Sequence, residues 1–150
     1  MVVIGVDPGL SGAIAWVEDG KILDVTDLPV MDGRIDASTL ADMIESHPKP
    51  ECVVIEKVSS MPGQGVASTF KFGQSYGALL GVFGALKYKI VHVTPRRWKR
   101  DMGLSSDKEM ARAAAIDRWP ESAHYLSRKK DHGRAEAALL VAWYSYFSNE

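Results

Sequence analysis

The chain has 150 residues, 46% of them hydrophobic and 25% charged, which describes an ordinary globular domain with material for one core. One cysteine, Cys52, excludes an internal disulfide, and no run approaches the ~18 continuous apolar residues of a membrane span. The net charge of −1 hides an asymmetry. Residues 1–60 carry eleven acids and four bases, whereas residues 61–135 carry six acids and fourteen bases. A basic half in a near-neutral chain points to a polyanion-binding face. The apolar pattern starts at residue 2, so neither signal nor transit peptide is expected, and a cytoplasmic location follows as an expectation. One domain over residues 1–150 is expected, with no membrane association.

In chain order, Val2-Val3-Ile4-Gly5-Val6 is an apolar run that ends in a carboxylate, Asp7. Pro8-Gly9 turns the chain and Gly12–Trp16 returns, a strand, tight turn and strand. Lys21–Leu28 reads as a third strand after a turn at Gly20, and Met31–Arg34 as a loop. Asp36 looks like the N-cap of a helix carrying Leu40, Met43, Ile44 and His47 on one face, stopped by Pro48 and Pro50. His47 reads as structural or solvated. Cys52–Glu56 repeats the opening pattern: a short β-branched strand, with Cys52 buried in it, ending in an acid. If the two strands are parallel neighbours, Asp7 and Glu56 meet at one sheet edge.

Ser59–Gly65 reads as a mobile loop, and Val66–Lys87 as a long helix. Its glycines, Gly73, Gly77, Gly81 and Gly84, each cost a helix up to about 1 kcal/mol relative to alanine. The row implies a backbone packed closely on that face, either the sheet or a second subunit's helix, and the second is favoured. Phe70, Lys71, Phe72 and Gln74 near its start could stack on splayed bases, or the phenylalanines could be core. Tyr88–Val93 is a further strand with His92 packed in it. Arg96, Arg97, Trp98, Lys99 and Arg100 then place four cations around one indole, a phosphate-contact candidate. Ser105–Trp119 reads as a helix capped by Ser105 or Ser106, with Lys108 and Arg112 on one face.

The basic stretch Ser127–Arg134 leads into an apolar helix, Ala135–Tyr144, in which Glu136 stands alone. A buried carboxylate needs a cation, a metal or a proton, and Arg134 or Lys130 would be the simplest partner. Asp131, five residues earlier, could face the same point, with His132 as the alternative. Asp7, Glu56, Asp131 and Glu136 thus come from three segments. Oxygen ligands without a Cys/His set suit Mg²⁺ or Mn²⁺. Two such ions about 3.5–4 Å apart would activate a water and stabilise a leaving oxygen in phosphodiester hydrolysis.

V-I-G-V-D-P-G-L-S-G, the V-V-I-E strand end and R-K-K-D-H-G-R-A-E-A-A-L-L, in this order, resemble the RuvC family of Holliday-junction resolvases. The last block is most similar to the phage and plastid branch. The resemblance implies an α/β, RNase H-like fold, with a mixed sheet whose first three strands are antiparallel and helices on both faces. It implies a homodimer, here through the glycine-rich helix, that nicks four-way DNA junctions in pairs and leaves 5′-phosphate and 3′-hydroxyl ends. Asp7, Glu56, Asp131 and Glu136 match the family's four acidic positions, each site holding two Mg²⁺ ions, with Mn²⁺ as a substitute. Position 133, where many bacterial members carry a further Asp, is Gly here, which leaves Asp131 or His132 to complete the site. Lys108 resembles a family lysine near the scissile phosphate, and Phe70 or Phe72 an aromatic that unstacks bases at the crossover. Lys57, Phe70, Lys71, Phe72, Gln74, Arg96, Arg97, Lys99, Arg112, Lys129, Lys130 and Arg134 are the expected DNA contacts. No nucleotide cofactor is expected, because the chain is too short for a two-lobed sugar-kinase-like or actin-like ATPase. The remaining alternatives are a nuclease for other branched DNA or RNA, and a non-catalytic junction-binding protein.

Overall fold

Side chains that alternate along buried strands set the layers of this protein. The computed structural model describes residues 1–58 and 63–148. Residues 59–62, within the expected Ser59–Gly65 loop, lie outside the described residues. Strands β1 (Val2–Asp7), β2 (Ala13–Glu18) and β3 (Lys21–Asp27) form an antiparallel meander. A small hairpin, β4 (Val30–Met31) and β5 (Arg34–Ile35), precedes helix α1 (Ala37–Glu45). Next come β6 (Cys52–Glu56), α2 (Val66–Ala85) and β7 (Ile90–Val93), then α3 (Pro95–Asp101), α4 (Lys108–Arg118) and α5 (His132–Phe147). Two 3₁₀ turns, Pro120–Leu126 and Lys129–Asp131, join α4 to α5. The five-stranded sheet has the order β3-β2-β1-β6-β7, with β6 and β7 parallel to β1.

Ile4, Val6, Ile14, Trp16, Val53 and Ile55 point to one face, where they pack with Leu40 and Ile44 of α1 and Leu79 and Phe83 of α2. Val3, Ala13, Ala15, Val17, Cys52 and Val54 point to the other, under Trp98 of α3, Ala111 and Ala115 of α4, and the buried length of α5. The expected mixed sheet with helices on both faces is therefore present. Helix α5 lies directly on β1 because position 5 is glycine: a Cβ there would collide with the Ala137 carbonyl oxygen. His47 is structural. Its ring stacks on Trp16 with centroids 3.7 Å apart and bonds to Asp24 at 2.9 Å.

Three local expectations change, and one segment without an expected element is now assigned. The Met31–Arg34 loop is the turn of the β4–β5 hairpin, in which Asp32 and Gly33 take φ values of 54° and 73°, as an Asp-Gly turn requires. The Arg96–Arg100 cluster is helical: Pro95 opens α3 and the Thr94 hydroxyl accepts from the Arg97 amide at 3.3 Å. Helix α4 starts at Lys108 rather than Ser105, because Asp107 is its cap and accepts from the Glu109 amide at 2.9 Å. His92 is exposed and bonds to the Tyr76 hydroxyl at 3.1 Å instead of packing. The glycine row of α2 does not face the sheet, since no described atom lies within 4 Å of a Cβ built at Gly73, Gly77, Gly81 or Gly84. Among the described residues, no helix is long and apolar enough to cross a membrane.

Candidate active site

Parallel pairing of β1 and β6 sets Val6 opposite Ile55, so the next residue on each strand is an acid, Asp7 and Glu56. The chain leaves β1 at once through Pro8-Gly9, and Gly12 permits the return because a Cβ there would strike the Asp7 carbonyl oxygen. The start of α5 closes over the same point. A Cβ at Gly133 would lie 3.0 Å from Asp7 Oδ2 and 3.2 Å from the Ser11 carbonyl, so glycine at 133 keeps space beside the Asp7 carboxylate. One helical turn later Glu136 enters the group, 7% exposed.

These acids feel one another. Burial, then the charges of Glu136 and Glu56, push the Asp7 carboxyl well above its ordinary value, while Lys99 and Lys108 oppose the shift. Burial also raises Glu56, against a hydrogen bond from Trp98. That bond is short and buried: Trp98 Nε1 donates to Glu56 Oε2 at 2.8 Å. Glu136 is paired with Lys99, whose Nζ lies 3.0 Å from Oε1, and not with Arg134 or Lys130. The donor set, carboxylates with lysines at the margin, fits a hard divalent cation.

Asp131 is buried but turned elsewhere. The Arg128 side chain grips it, with Nη2 2.8 Å and Nε 3.0 Å from Oδ1, and the Arg128 amide donates to Oδ2 at 2.8 Å. Burial alone would raise this carboxyl. The Arg128 bonds and the charges of Arg128 and Arg134 outweigh it and hold Asp131 below its ordinary value. His132 is partly buried, and its Nδ1 has no hydrogen-bond partner among the described residues. As the side chains stand, no three acids or histidines among the described residues converge closely enough to enclose an ion.

Three adjoining clefts pass this centre. Lys57, Phe72 and Arg96, with Val58 and Pro95, line one of about 460 Å³. Arg96, Lys99, Arg100, Ser105 and Ser106 line the next, about 490 Å³. Ser106, Asp107, Lys108, Glu109, Lys129, Lys130 and His132 line the third, about 810 Å³. The expected contacts Lys57, Phe72, Arg96, Lys99, Lys129 and Lys130 thus share one basic trough. Phe70 is 71% exposed, and Lys71 and Gln74 are exposed beside it on α2. Besides Lys99, three further expected contacts are engaged within the chain. Arg112 bonds Glu109 at 2.6 Å and the Leu126 carbonyl at 2.8 Å. Arg134 bonds Asp27 at 2.9 Å and the Tyr125 carbonyl at 3.1 Å. Arg97 lies over Trp143 and 3.7 Å from Asp101.

Sequence reasoning missed Trp98 and Arg128. Trp98 is the one apolar side chain in Arg96–Arg100, so a helical reading of that stretch would have buried it. Arg128 stands three residues before Asp131, a spacing that brings side chains together in a helical turn.

The fold is the one seen in resolvases of four-way DNA junctions. The Thermus thermophilus RuvC structure in complex with Holliday junction substrate superposes with a TM-score of 0.69 and 18% identity, covering 97% of this chain and 94% of that one. The fowlpox virus Holliday junction resolvase gives 0.58 and 19%, with 99% of each chain covered. In sequence, the chain is 31% identical over 109 residues to the chloroplastic Holliday junction resolvase MOC1 of Chlamydomonas reinhardtii, which is 71% of this chain and 12% of that protein. The chain thus spans about an eighth of the length of that relative. No family model matches the chain. The resemblance drawn from the sequence is borne out: the chain has the RuvC fold and is a sequence relative of a plastid resolvase.

Proposed function

We propose that this chain is a structure-selective endonuclease that resolves four-way DNA junctions by paired symmetric nicks, leaving 5′-phosphate and 3′-hydroxyl ends. The observation that carries this reading is the placing of Glu56 and Glu136 near Asp7, with the charges of Lys99 and Lys108 beside them and lysine- and arginine-bearing clefts alongside. The names of the relatives point the same way. In this reading Asp7, Glu56 and Glu136, with Asp131 or His132, hold two Mg²⁺ ions, for which Mn²⁺ substitutes. Such ions lower the pKa of a bound water and neutralise charge on the phosphate.

The rest belongs to the chain's own residues. Trp98 fixes one oxygen of Glu56 and leaves the other free. Lys108, whose charge reaches Asp7, stands at the wall of the third cleft, where it can stabilise charge that develops on the scissile phosphate. Phe72, in the first cleft beside Lys57 and Arg96, offers a ring to an unstacked base. Paired nicks need two centres, and the open glycine row of α2 offers the surface for a second copy of this chain.

The test is cleavage of synthetic four-way junction, flap, RNA–DNA hybrid and duplex in Mg²⁺, mapped at nucleotide resolution. Symmetric nicks in the junction alone are expected. Equal cutting of the hybrid overturns the reading, and persistent Mg²⁺-dependent cleavage by Glu56→Gln overturns the assignment of the metal site.

A further inference from the structure

The acids of the centre divide into two sets by their partners. Asp7 and Glu56, at the strand ends, have no cation within ion-pair distance among the described residues, and Glu56 accepts only a neutral indole N–H. Glu136 and Asp131, at the start of α5, are each held by a cation of the protein. Lys99 reaches Glu136 at 3.0 Å with both side chains largely buried, 17% and 9% exposed. Its ammonium also lies 5.6 Å from the centroid of the Trp98 ring, so α3 presents one side chain to each set. Arg128 reaches Asp131 at 2.8 Å, is itself half-exposed, and lies 3.8 Å from Asp27.

We propose that Lys99 and Arg128 are a built-in lock on the helix-side half of the metal centre, opened by the phosphates of the DNA. Without DNA, the strand-side acids Asp7 and Glu56 accept one divalent ion, and the helix-side acids are neutralised by the two side chains. When DNA enters the trough, its phosphates compete for the same two cations. Lys99 lines the trough and Arg128 is exposed, so both can exchange a carboxylate for a phosphate. Glu136 is then a buried acid without its cation and Asp131 keeps only Arg134, 3.7 Å away, which is costly, and a second divalent ion relieves them. The device makes full metal loading depend on DNA in the trough. It rests on the two-ion reading above.

The test counts Mn²⁺ bound to the full chain by electron paramagnetic resonance, with and without a junction in which a methylene group replaces the bridging 3′ oxygen of each scissile phosphate and so blocks cleavage. Free wild-type protein is expected to bind one ion tightly and the junction complex two. Free Lys99→Met is expected to bind the second ion about tenfold or more tightly than free wild type. Its junction affinity should show a salt slope smaller by about one. Lys99→Arg, which keeps the charge, serves if Lys99→Met is poorly folded. It should restore one-ion binding, which a general loss of structure would not. Two tight ions in free wild type, or an unchanged second affinity in Lys99→Met, overturn the lock while leaving the two-ion reading intact. One ion at most in the junction complex overturns the two-ion reading itself.

Discussion

The two halves of the acidic centre are built from the same side chains and behave in opposite ways. At the strand ends, Asp7 and Glu56 sit on backbones fixed by pairing on both sides, and both carboxyls are pushed above their ordinary values. At the start of α5, Asp131 lies below its ordinary value because Arg128 supplies a chelating cation. Rigid strands can hold a charge in an unfavourable place, and the sheet bears the cost. A helix start joined to a 3₁₀ turn instead brings its own counter-ions. The strained half is therefore where an exogenous cation gains most.

The largest effects should come from the strained half. Asp7→Asn and Glu56→Gln are expected to lower junction cleavage about 10³-fold or more, near 4 kcal/mol of barrier, while gel-shift affinity for the junction stays within about threefold. A second test probes the wall between the halves. Gly133→Ala drives a methyl against Asp7 Oδ2 and the Ser11 carbonyl, so cleavage should fall about 10²-fold in single-turnover assays with the fold retained. Retained activity would mean that Asp7 moves freely and is not held.

Trp98→Phe keeps an aromatic ring and deletes the donor to Glu56. Chemical denaturation should show a loss of about 1–3 kcal/mol, and kcat should fall with KM for the junction unchanged. The pH dependence separates the halves by sign. A raised folded pKa means that the native Asp7 site binds a proton more readily than the unfolded chain does. Metal-free protein should therefore lose stability as pH rises from the ordinary carboxylate range through the raised value. Asp131 contributes the other way: its stabilisation is present above the ordinary carboxylate pKa and is lost as pH falls through the lowered folded one. Calorimetric melting of wild type and Asp7→Asn from pH 4 to 8 would show the Asp7 part as a difference that vanishes at the acid end. The smallest effect belongs to Arg112→Ala. Its guanidinium bonds Glu109 and Leu126, so stability should fall by about 1 kcal/mol with no change in the salt slope of junction binding.

Much of this molecule was legible in residues 1–56. Apolar runs ending in Asp7 and Glu56 marked both strands and their terminal acids, because apolar patterning and strand length are local properties, whereas the parallel pairing that joins the strands was only a condition until the sheet was seen. The Asp36 cap and the proline stop were legible for the same reason. Position 133 was visible as a departure from the bacterial pattern, but its contact with Asp7 Oδ2 was not, since it crosses the sheet–helix boundary. Likewise, the concentration of bases in the second half was legible but the separate roles of its cations were not. Arg96, Lys129 and Lys130 line the clefts, Arg112 and Arg134 brace the chain, and Lys99 enters the acids.

By itself the sequence determined most of the elements, the two strand-end acids, the resemblance to junction resolvases and the concentration of bases after residue 60. Each of these is written in neighbouring residues or in a motif. Only the tertiary structure decided which cation answers which acid. Lys99 is 37 residues from Glu136 and Trp98 is 42 residues from Glu56, and such pairs exist only once α3 has docked between β6 and α5. Charge pairing in a folded chain depends on distance and burial, and neither is a property of sequence position.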